Sequence, residues 1–135
     1  MKRIAIVLDK NLNAGEVGNV SAILMGDLAS KQPDIFFEEK LNDLSQAPHA
    51  TIKYSTVVLK SGSLALLNFV DRLHTNEEVS FVLFSRTGQK LNNAYEQYKE
   101  KIATSSSSEL EPIGVAVFGE DAIVRELTKK FSLLK

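Results

Sequence analysis

The first 30 residues of the chain join a short apolar run to an amphipathic segment through a polar elbow. The run, Ile4 to Leu8, is continuous and rich in β-branched residues, which predicts a strand buried on both faces. The following segment, Gly15 to Ser30, carries apolar residues at helical spacing, namely Val17, Val20, Leu24 and Leu28. The elbow that begins at Asp9 is therefore predicted to lie at the carboxyl end of the strand, where open α/β sheets place their ligands.

The rest of the chain repeats this alternation of strand and helix. Three further strands are predicted over residues 56–60, 79–84 and 113–118. Further helices are predicted from 63 to about 74, from 89 to about 103, and from 119 onward. The stretch 35–54 is predicted to be a long connection with a short edge strand near 51–54, and 104–108 a loop. This order predicts one domain, residues 1–135, folded as a three-layer α/β/α sandwich on four strands.

Composition narrows the function classes without selecting one. Apolar residues make up 44% of the 135 residues and charged residues 24%, as in ordinary globular proteins. The net charge of −1 gives no general attraction to nucleic acid. No apolar run is long enough to span a bilayer, and no secretory signal precedes the first strand, so we predict a cytoplasmic protein without a membrane partner. Without cysteine, neither disulfide nor thiolate chemistry is available.

Neither a metal site nor a cofactor is predicted. The spacing of Asp9, Asn11 and Asn13 is that of the start of a calcium loop, but Ala14 and Val20 replace the turn glycine and the bidentate glutamate. Two histidines without cysteine do not make a structural zinc site. The phosphate loop and the dinucleotide glycine fingerprint are also missing from the sequence.

The polar residues of the elbow and of the first helix are candidates for ligand contacts. Asp9 and Asn11 either line a cleft above the sheet or serve the turn itself, with Asn13 capping the helix. Asn19, in the first turns of that helix, is a candidate hydrogen-bond partner for a ligand carbonyl or hydroxyl.

Two other strand ends carry candidate binding residues. Lys60 precedes two hydroxyls and a glycine at a helix start, a combination suited to an anion, although capping alone also explains Ser61 to Ser63. Ser85, Arg86 and Thr87 form the most polar strand end. There Arg86 can pair with a carboxylate or a phosphate through its fork, and the alternative is a turn capped by Thr87.

The segments Lys2 to Asp9 and Gly18 to Ala22, with Leu12 and Gly15 between them, form one recognisable pattern. This pattern resembles a bacterial family known as domain of unknown function 2000, which is structurally related to the type II peptidyl-tRNA hydrolases. The later segments 56–60, 85–89 and 110–119 resemble the pattern of the hydrolases, and 127–134 resembles their last helix. The resemblance implies a mixed four-stranded sheet between helices, the peptidyl-tRNA hydrolase II fold, and a homodimer.

The sequence departs from the hydrolases where their chemistry resides. The first helix of the hydrolases starts with a lysine-rich Gly-Lys-Gly-Lys motif, whereas this chain has Gly15 to Asn19 without lysine. An aspartate in an Asp-Ala-Gly turn follows their third strand, whereas Ser85 and Arg86 stand in that neighbourhood here. Because the cation and the carboxylate are both replaced and the surface is near neutral, transfer RNA is not predicted as a partner.

Three functions are compatible with the sequence. The first is binding of a small polar ligand, with hydrolysis of an ester or amide in which Asp9 acts as base and Arg86 as electrophilic partner. The second is a non-catalytic binding or interaction module, with the predicted helix 89–103 as its partner surface. The third is residual peptidyl-tRNA hydrolase activity.

Overall fold

The computed structural model describes residues 1–135 as one open sheet with helices on both faces. The strands are β1 Lys2–Asp9, β2 Ser55–Ser61, β3 Ser80–Ser85, β4 Pro112–Glu120 and β5 Ser132–Leu133. The α-helices are α1 Ala14–Lys31, α2 Ser63–His74, α3 Arg86–Lys90, α4 Tyr95–Ala103, α5 Ser107–Leu110 and α6 Asp121–Thr128. None of these helices is long and apolar enough to cross a membrane.

The sheet is mixed, and its strand order is β3-β4-β1-β2-β5. Strand β1 pairs in parallel with β2 and antiparallel with β4, while β3 pairs antiparallel with β4. The carboxyl ends of β1, β2 and β3 therefore share one edge of the sheet with the amino end of β4. Helices α1, α2 and α3 follow those three strand ends, so their amino-terminal turns also lie near this edge.

Alternation along the strands divides the core into two layers. Ile4, Ile6 and Leu8 of β1 pack with Leu24 and Leu28 of α1 on one face. The intervening residues of β1 pack on the other face against α2 and α6, in a cluster that also contains Leu66, Phe69, Val70, Leu73 and Val124. The apolar residues predicted at helical spacing in α1 therefore face the core, and β1 is buried on both faces as predicted.

The prediction of four strands is wrong, because the sheet has a fifth strand at its outer edge. Strand β5 contains only two residues and pairs antiparallel with β2, joining Leu133 to Leu59 and Ser132 to Lys60. Helix α6 ends at Thr128, so the segment 127–134 is not the last helix that the resemblance implied. Phe131 lies between the helix and the strand, and its ring packs edge-on against Phe69 at 5.1 Å between centroids.

The helix predicted over 89–103 is divided into α3 and α4. Asn93 adopts a left-handed backbone conformation, with φ of 66°, and this conformation interrupts the helix. No residue of α4 is buried, and Tyr95 and Ile102 are 67% and 39% exposed. Part of the loop predicted at 104–108 is the short helix α5, which starts from a capping box between Ser106 and Glu109.

The long connection predicted between α1 and β2 is present, but its edge strand is reduced to single bridges. A short 3-10 helix, Pro33–Ile35, buries Ile35 beneath this segment. Isolated antiparallel bridges then join Phe36 to Ile52 and Asn42 to Pro48. The segment covers one end of α1 without extending the sheet.

Candidate functional site

A surface cleft of about 420 Å³ opens at the edge where β1, β2 and β3 end and β4 begins. We call it the strand-edge cleft. It is lined by residues from five parts of the chain: Asp9, Asn11, Ser63, Leu64, Leu67, Arg86, Ser108, Glu111, Pro112 and Ile113. The position agrees with the general rule that open α/β sheets bind ligands outside the carboxyl ends of their strands.

The Asp9 carboxylate is fixed by hydrogen bonds to two different segments. Its Oδ1 accepts the backbone N–H of Asn11 at 2.9 Å, and its Oδ2 accepts the hydroxyl of Ser63 at 3.0 Å. The residue is only 7% exposed, at the end of the fully buried part of β1. Since each carboxylate oxygen can accept two hydrogen bonds, Asp9 retains acceptor capacity after fixing the loop and the start of α2.

The Arg86 guanidinium is held from one side by α1 and by its own helix. Its Nη1 donates to Oε2 of Glu16 at 2.9 Å and also to Oε1 of Gln89. Gln89 completes the triangle by donating from Nε2 to Oε2 of Glu16 at 3.1 Å. Because only Nη1 is engaged, Nε and Nη2 of Arg86 remain without a protein acceptor, and the side chain is fixed with donors to spare.

Glu16 supports both the start of α1 and the position of Arg86. Its Oε1 accepts the N–H of Asn13, and the Asn13 side chain accepts the N–H of Glu16, which together form a capping box. The hydrogen bond from the Asn13 backbone, followed by those from Gln89 and Arg86, lowers the pKa of Glu16 below its ordinary value. A carboxylate that stays ionised is a dependable anchor for the guanidinium.

Glu111 closes the cleft in a conformation that non-glycine residues seldom adopt. Its φ of 60° and ψ of 82° lie in the left-handed region, at the end of α5 just before β4. The carbonyl of Glu111 accepts the backbone N–H of Arg86 at 2.8 Å, so this turn is bonded directly to the end of β3. The exposed Glu111 side chain adds a second carboxylate to the lining.

The structure brings three of the predicted site residues together and separates the other four from them. Asp9, Asn11 and Arg86 line the strand-edge cleft. Lys60 lines a neighbouring cleft, and Asn19 is exposed on α1 outside both.

The two hydroxyls beside Arg86 serve the backbone. Ser85 is 1% exposed, and its Oγ accepts the N–H of Gly88, so Ser85 rather than Thr87 caps α3. Thr87 donates its hydroxyl to the carbonyl of Leu110 at 3.2 Å. The prediction that Thr87 caps this turn is therefore wrong, because Ser85, on the other side of Arg86, provides the cap.

Ser63, Ser108 and Glu111 are the polar lining residues that the sequence did not assign to this cleft. Ser63 belongs to the segment 60–63, where the pattern indicated a helix cap, and only the parallel pairing of β1 with β2 brings its hydroxyl to Asp9. The position of Glu111 in the cleft could not be predicted, because nothing in the neighbouring sequence indicates a left-handed residue.

No group of three or more His, Cys, Asp or Glu side chains is arranged to hold a metal ion.

Comparison with known proteins identifies a family and a fold. The model of the family described as "Protein of unknown function (DUF2000)" matches residues 2–135, so the chain belongs to this family, as its sequence predicted. A solved structure of a protein of unknown function from Agrobacterium tumefaciens is similar, with a TM-score of 0.83 and 20% identity over 99% of this chain and 98% of that one. At that identity the likeness shows the fold alone. No curated protein matches the sequence.

Proposed function

We propose that this member of the DUF2000 family binds a small polar ligand in the strand-edge cleft and hydrolyses an ester or amide bond in it. The observation that carries the proposal is the convergence of a fixed carboxylate and a fixed guanidinium on one cleft. Asp9 comes from the end of β1, and Arg86 follows the end of β3. Preorganised polar groups of this kind are what acyl-transfer chemistry requires.

Each of the two residues has a distinct role in the proposed reaction. The free donors Nε and Nη2 of Arg86 polarise the carbonyl oxygen of the ligand and stabilise the negative charge that develops on it. Asp9 accepts a proton from a water molecule as its oxygen attacks the carbonyl carbon. The bond from that carbon to the leaving oxygen or nitrogen then breaks, and the leaving group takes the proton from Asp9.

The lining also suits the size and the character of such a ligand. Leu64, Leu67, Pro112 and Ile113 provide an apolar side, and Leu64 is 72% exposed in the free protein. With two carboxylates and one guanidinium in the lining, the cleft favours a ligand that donates hydrogen bonds and also presents one acceptor. An N-acylated amino acid ester supplies an N–H donor for a carboxylate and a carbonyl acceptor for the guanidinium.

Turnover of N-acetylglycine ethyl ester by the wild type and three variants tests this function. We expect hydrolysis above the uncatalysed rate, lost in Asp9→Asn and in Arg86→Gln. Lys90→Gln is the matched control, because Lys90 is an exposed cation of the same short helix outside the cleft. Hydrolysis that persists in both site variants, or its absence together with the absence of saturable binding, would contradict the proposal. Saturable binding without turnover would support the ligand site and contradict the proposed hydrolysis.

Kinship with the type II peptidyl-tRNA hydrolases is part of the same proposal and is supported by the sequence resemblance. Hydrolysis of peptidyl-tRNA, the reaction of those hydrolases, is a weaker candidate, because Gly15 to Asn19 contains no lysine and the net charge is −1. Release of the acyl-amino acid from an N-acylated aminoacyl-tRNA, with Asn19→Ala and Arg86→Ala beside the wild type, tests it. We expect no release by any of the three proteins.

A second candidate function, an interaction module, is favoured by the exposure of α4. The side chains of Tyr95 and Ile102 are exposed there, and β3 has an unpaired edge nearby. Assembly as a homodimer is a proposal of the same kind, since an unpaired strand edge can pair with a second copy. Molar mass by light scattering tests the homodimer: twice the mass of one chain supports it, and a mass that falls to that of one chain in Tyr95→Ser supports a contact through α4.

A further inference from the structure

We propose that the protein has a second binding site, for a small phosphorylated molecule, in a basic cleft beside the strand-edge cleft. The basic cleft encloses about 480 Å³ between β2, α2 and the segment that leads into β5. Its lining includes four cationic residues, Lys10, Lys60, Arg72 and Lys130. The proposal is independent of the proposed hydrolase activity, because none of these residues lines the strand-edge cleft.

The four cations come from separate parts of the chain and have no anionic partner in the protein. Lys10 follows β1, Lys60 belongs to β2, Arg72 to α2, and Lys130 precedes β5. None of them forms an ion pair, although eight other pairs join charged groups within 4.0 Å elsewhere in the molecule. No residue lining the basic cleft is acidic. Because no acidic group of the protein offsets these charges, a bound anion would reduce the repulsion among them.

The main chain of Lys10 and the guanidinium of Arg72 are each held by other parts of the protein. The N–H of Lys10 donates to the carbonyl of Ser61 at 2.9 Å, which holds the loop after β1 against the end of β2. The Arg72 guanidinium lies 5.3 Å from the centre of the Phe69 ring and donates to the carbonyl of Leu127 at 3.4 Å. The cations therefore border a defined cleft and are not scattered over an open surface.

The shape and the remaining lining select the class of anion. Four positive charges match a group with at least two negative charges, and lysines commonly bind phosphate as point charges. Ala65 and the ring of Phe131 form an apolar side against which an attached organic group can pack. A cleft of this volume accommodates a small molecule, and the net charge of −1 gives no long-range attraction for a polynucleotide.

Calorimetric titration of the full chain with inorganic pyrophosphate at pH 7.5 and low ionic strength tests the proposal. The variants are Lys60→Gln, Lys130→Gln and their combination, chosen because both side chains are exposed and bond to nothing in the protein. The double variant Lys53→Gln with Lys90→Gln is the matched control, since it makes the same change of net charge on exposed lysines outside the cleft. Arg72 is left in place because it packs on Phe69.

We expect saturable binding of pyrophosphate, with the dissociation constant raised about tenfold by each cleft substitution and unchanged in the control. The melting temperature of the wild type should rise with pyrophosphate concentration, because the ligand binds the folded state. No binding, or an equal loss in the cleft variants and the control, would overturn the proposal. Tighter binding of a single-stranded oligonucleotide than of pyrophosphate would also overturn it, in favour of a nucleic-acid surface.

Discussion

Residues 9–11 and 60–67 contribute to both clefts. The clefts differ in whether their charged side chains are paired within the protein. In the strand-edge cleft, Asp9 is bonded to two segments, and Arg86 is paired with Glu16. In the basic cleft, the cations have no anionic partner. Consecutive residues are divided between the two, since Lys10 faces one cleft while Asp9 and Asn11 line the other.

This difference indicates that one cleft holds reacting groups in a fixed orientation, whereas the other provides affinity for an anion. Internal pairing fixes the orientation of a charged group, so it suits a site where atoms must be held for a reaction. Unpaired cations are not held in one orientation by the protein, but their attraction for a bound anion adds to its binding free energy. We infer that the strand-edge cleft is organised for chemistry on a small polar ligand and the basic cleft for holding a charged group.

The largest effect that we expect is on the wall that both clefts share. Leu66 of α2 is fully buried in the core, so Leu66→Ala should lower the free energy of unfolding by about 2–5 kcal/mol. Leu64 of the same helix is 72% exposed, and Leu64→Ala should leave stability within about 0.5 kcal/mol. Urea denaturation measures both. Equal losses of stability would show that α2 does not pack as described.

The next effect concerns the internal pairing of Asp9. Asp9→Ala removes the acceptor for Asn11 N–H and the Ser63 hydroxyl, so it should cost about 1–3 kcal/mol in urea denaturation. The control is Ser63→Ala, which removes only one of these bonds and should cost less. If Asp9→Ala unfolds at the wild-type urea concentration, the two hydrogen bonds of the Asp9 carboxylate contribute nothing to stability.

A smaller effect is expected from the protonation of Glu16. Its pKa in the folded protein is below the ordinary value of 4.5, so its contribution to stability is complete above that pH. The contribution is lost as pH falls through the lowered pKa of the folded state. Stability measured between pH 7 and pH 3 should therefore fall more steeply in the wild type than in Glu16→Gln.

Glu39→Gln serves as the control for that comparison, because Glu39 is exposed and takes part in no ion pair. We expect its pH profile to follow that of the wild type. Identical profiles for Glu16→Gln and Glu39→Gln would contradict the role of Glu16 as the anchor of Arg86.

The smallest effect is expected in the free basic cleft. Lys60→Gln relieves repulsion among unpaired cations, so the free protein should unfold at a slightly higher temperature. The corresponding increase in the free energy of unfolding should be no more than about 0.5 kcal/mol. Thermal unfolding at low salt measures this, and added salt should reduce the difference by screening. A clear destabilisation by Lys60→Gln would indicate that Lys60 has a structural partner.

Much of the fold was predictable because periodicity reports burial. The spacing of Val20, Leu24 and Leu28 indicated the core face of α1, and the apolar run at Ile4 to Leu8 indicated a strand buried on both sides. The split between α3 and α4 was not predictable in this way. It depends on one left-handed residue, Asn93, inside a segment whose spacing is otherwise helical.

The candidate site was predictable only as far as the sheet edge. Asp9 and Arg86 follow strand ends, and the topology brings them together. Lys60 also lies near a strand end, but the register pairs it with Leu8 and pairs Ser61 with Asp9, so alternation along the strands directs Lys60 away from Asp9. The sequence does not show this register, because the register depends on how β1 and β2 pair.

Amide chemical shifts of the isotope-labelled wild type, titrated separately with two probes, test the difference between the clefts most directly. N-acetylglycine ethyl ester should shift the amides of Asn11, Leu64 and Arg86 saturably and leave the basic cleft unaffected. Inorganic pyrophosphate should instead shift those of Lys60, Ala65 and Lys130. Both probes shifting one common set of amides, or neither shifting its own set, would contradict the assignment of two clefts with different chemistry.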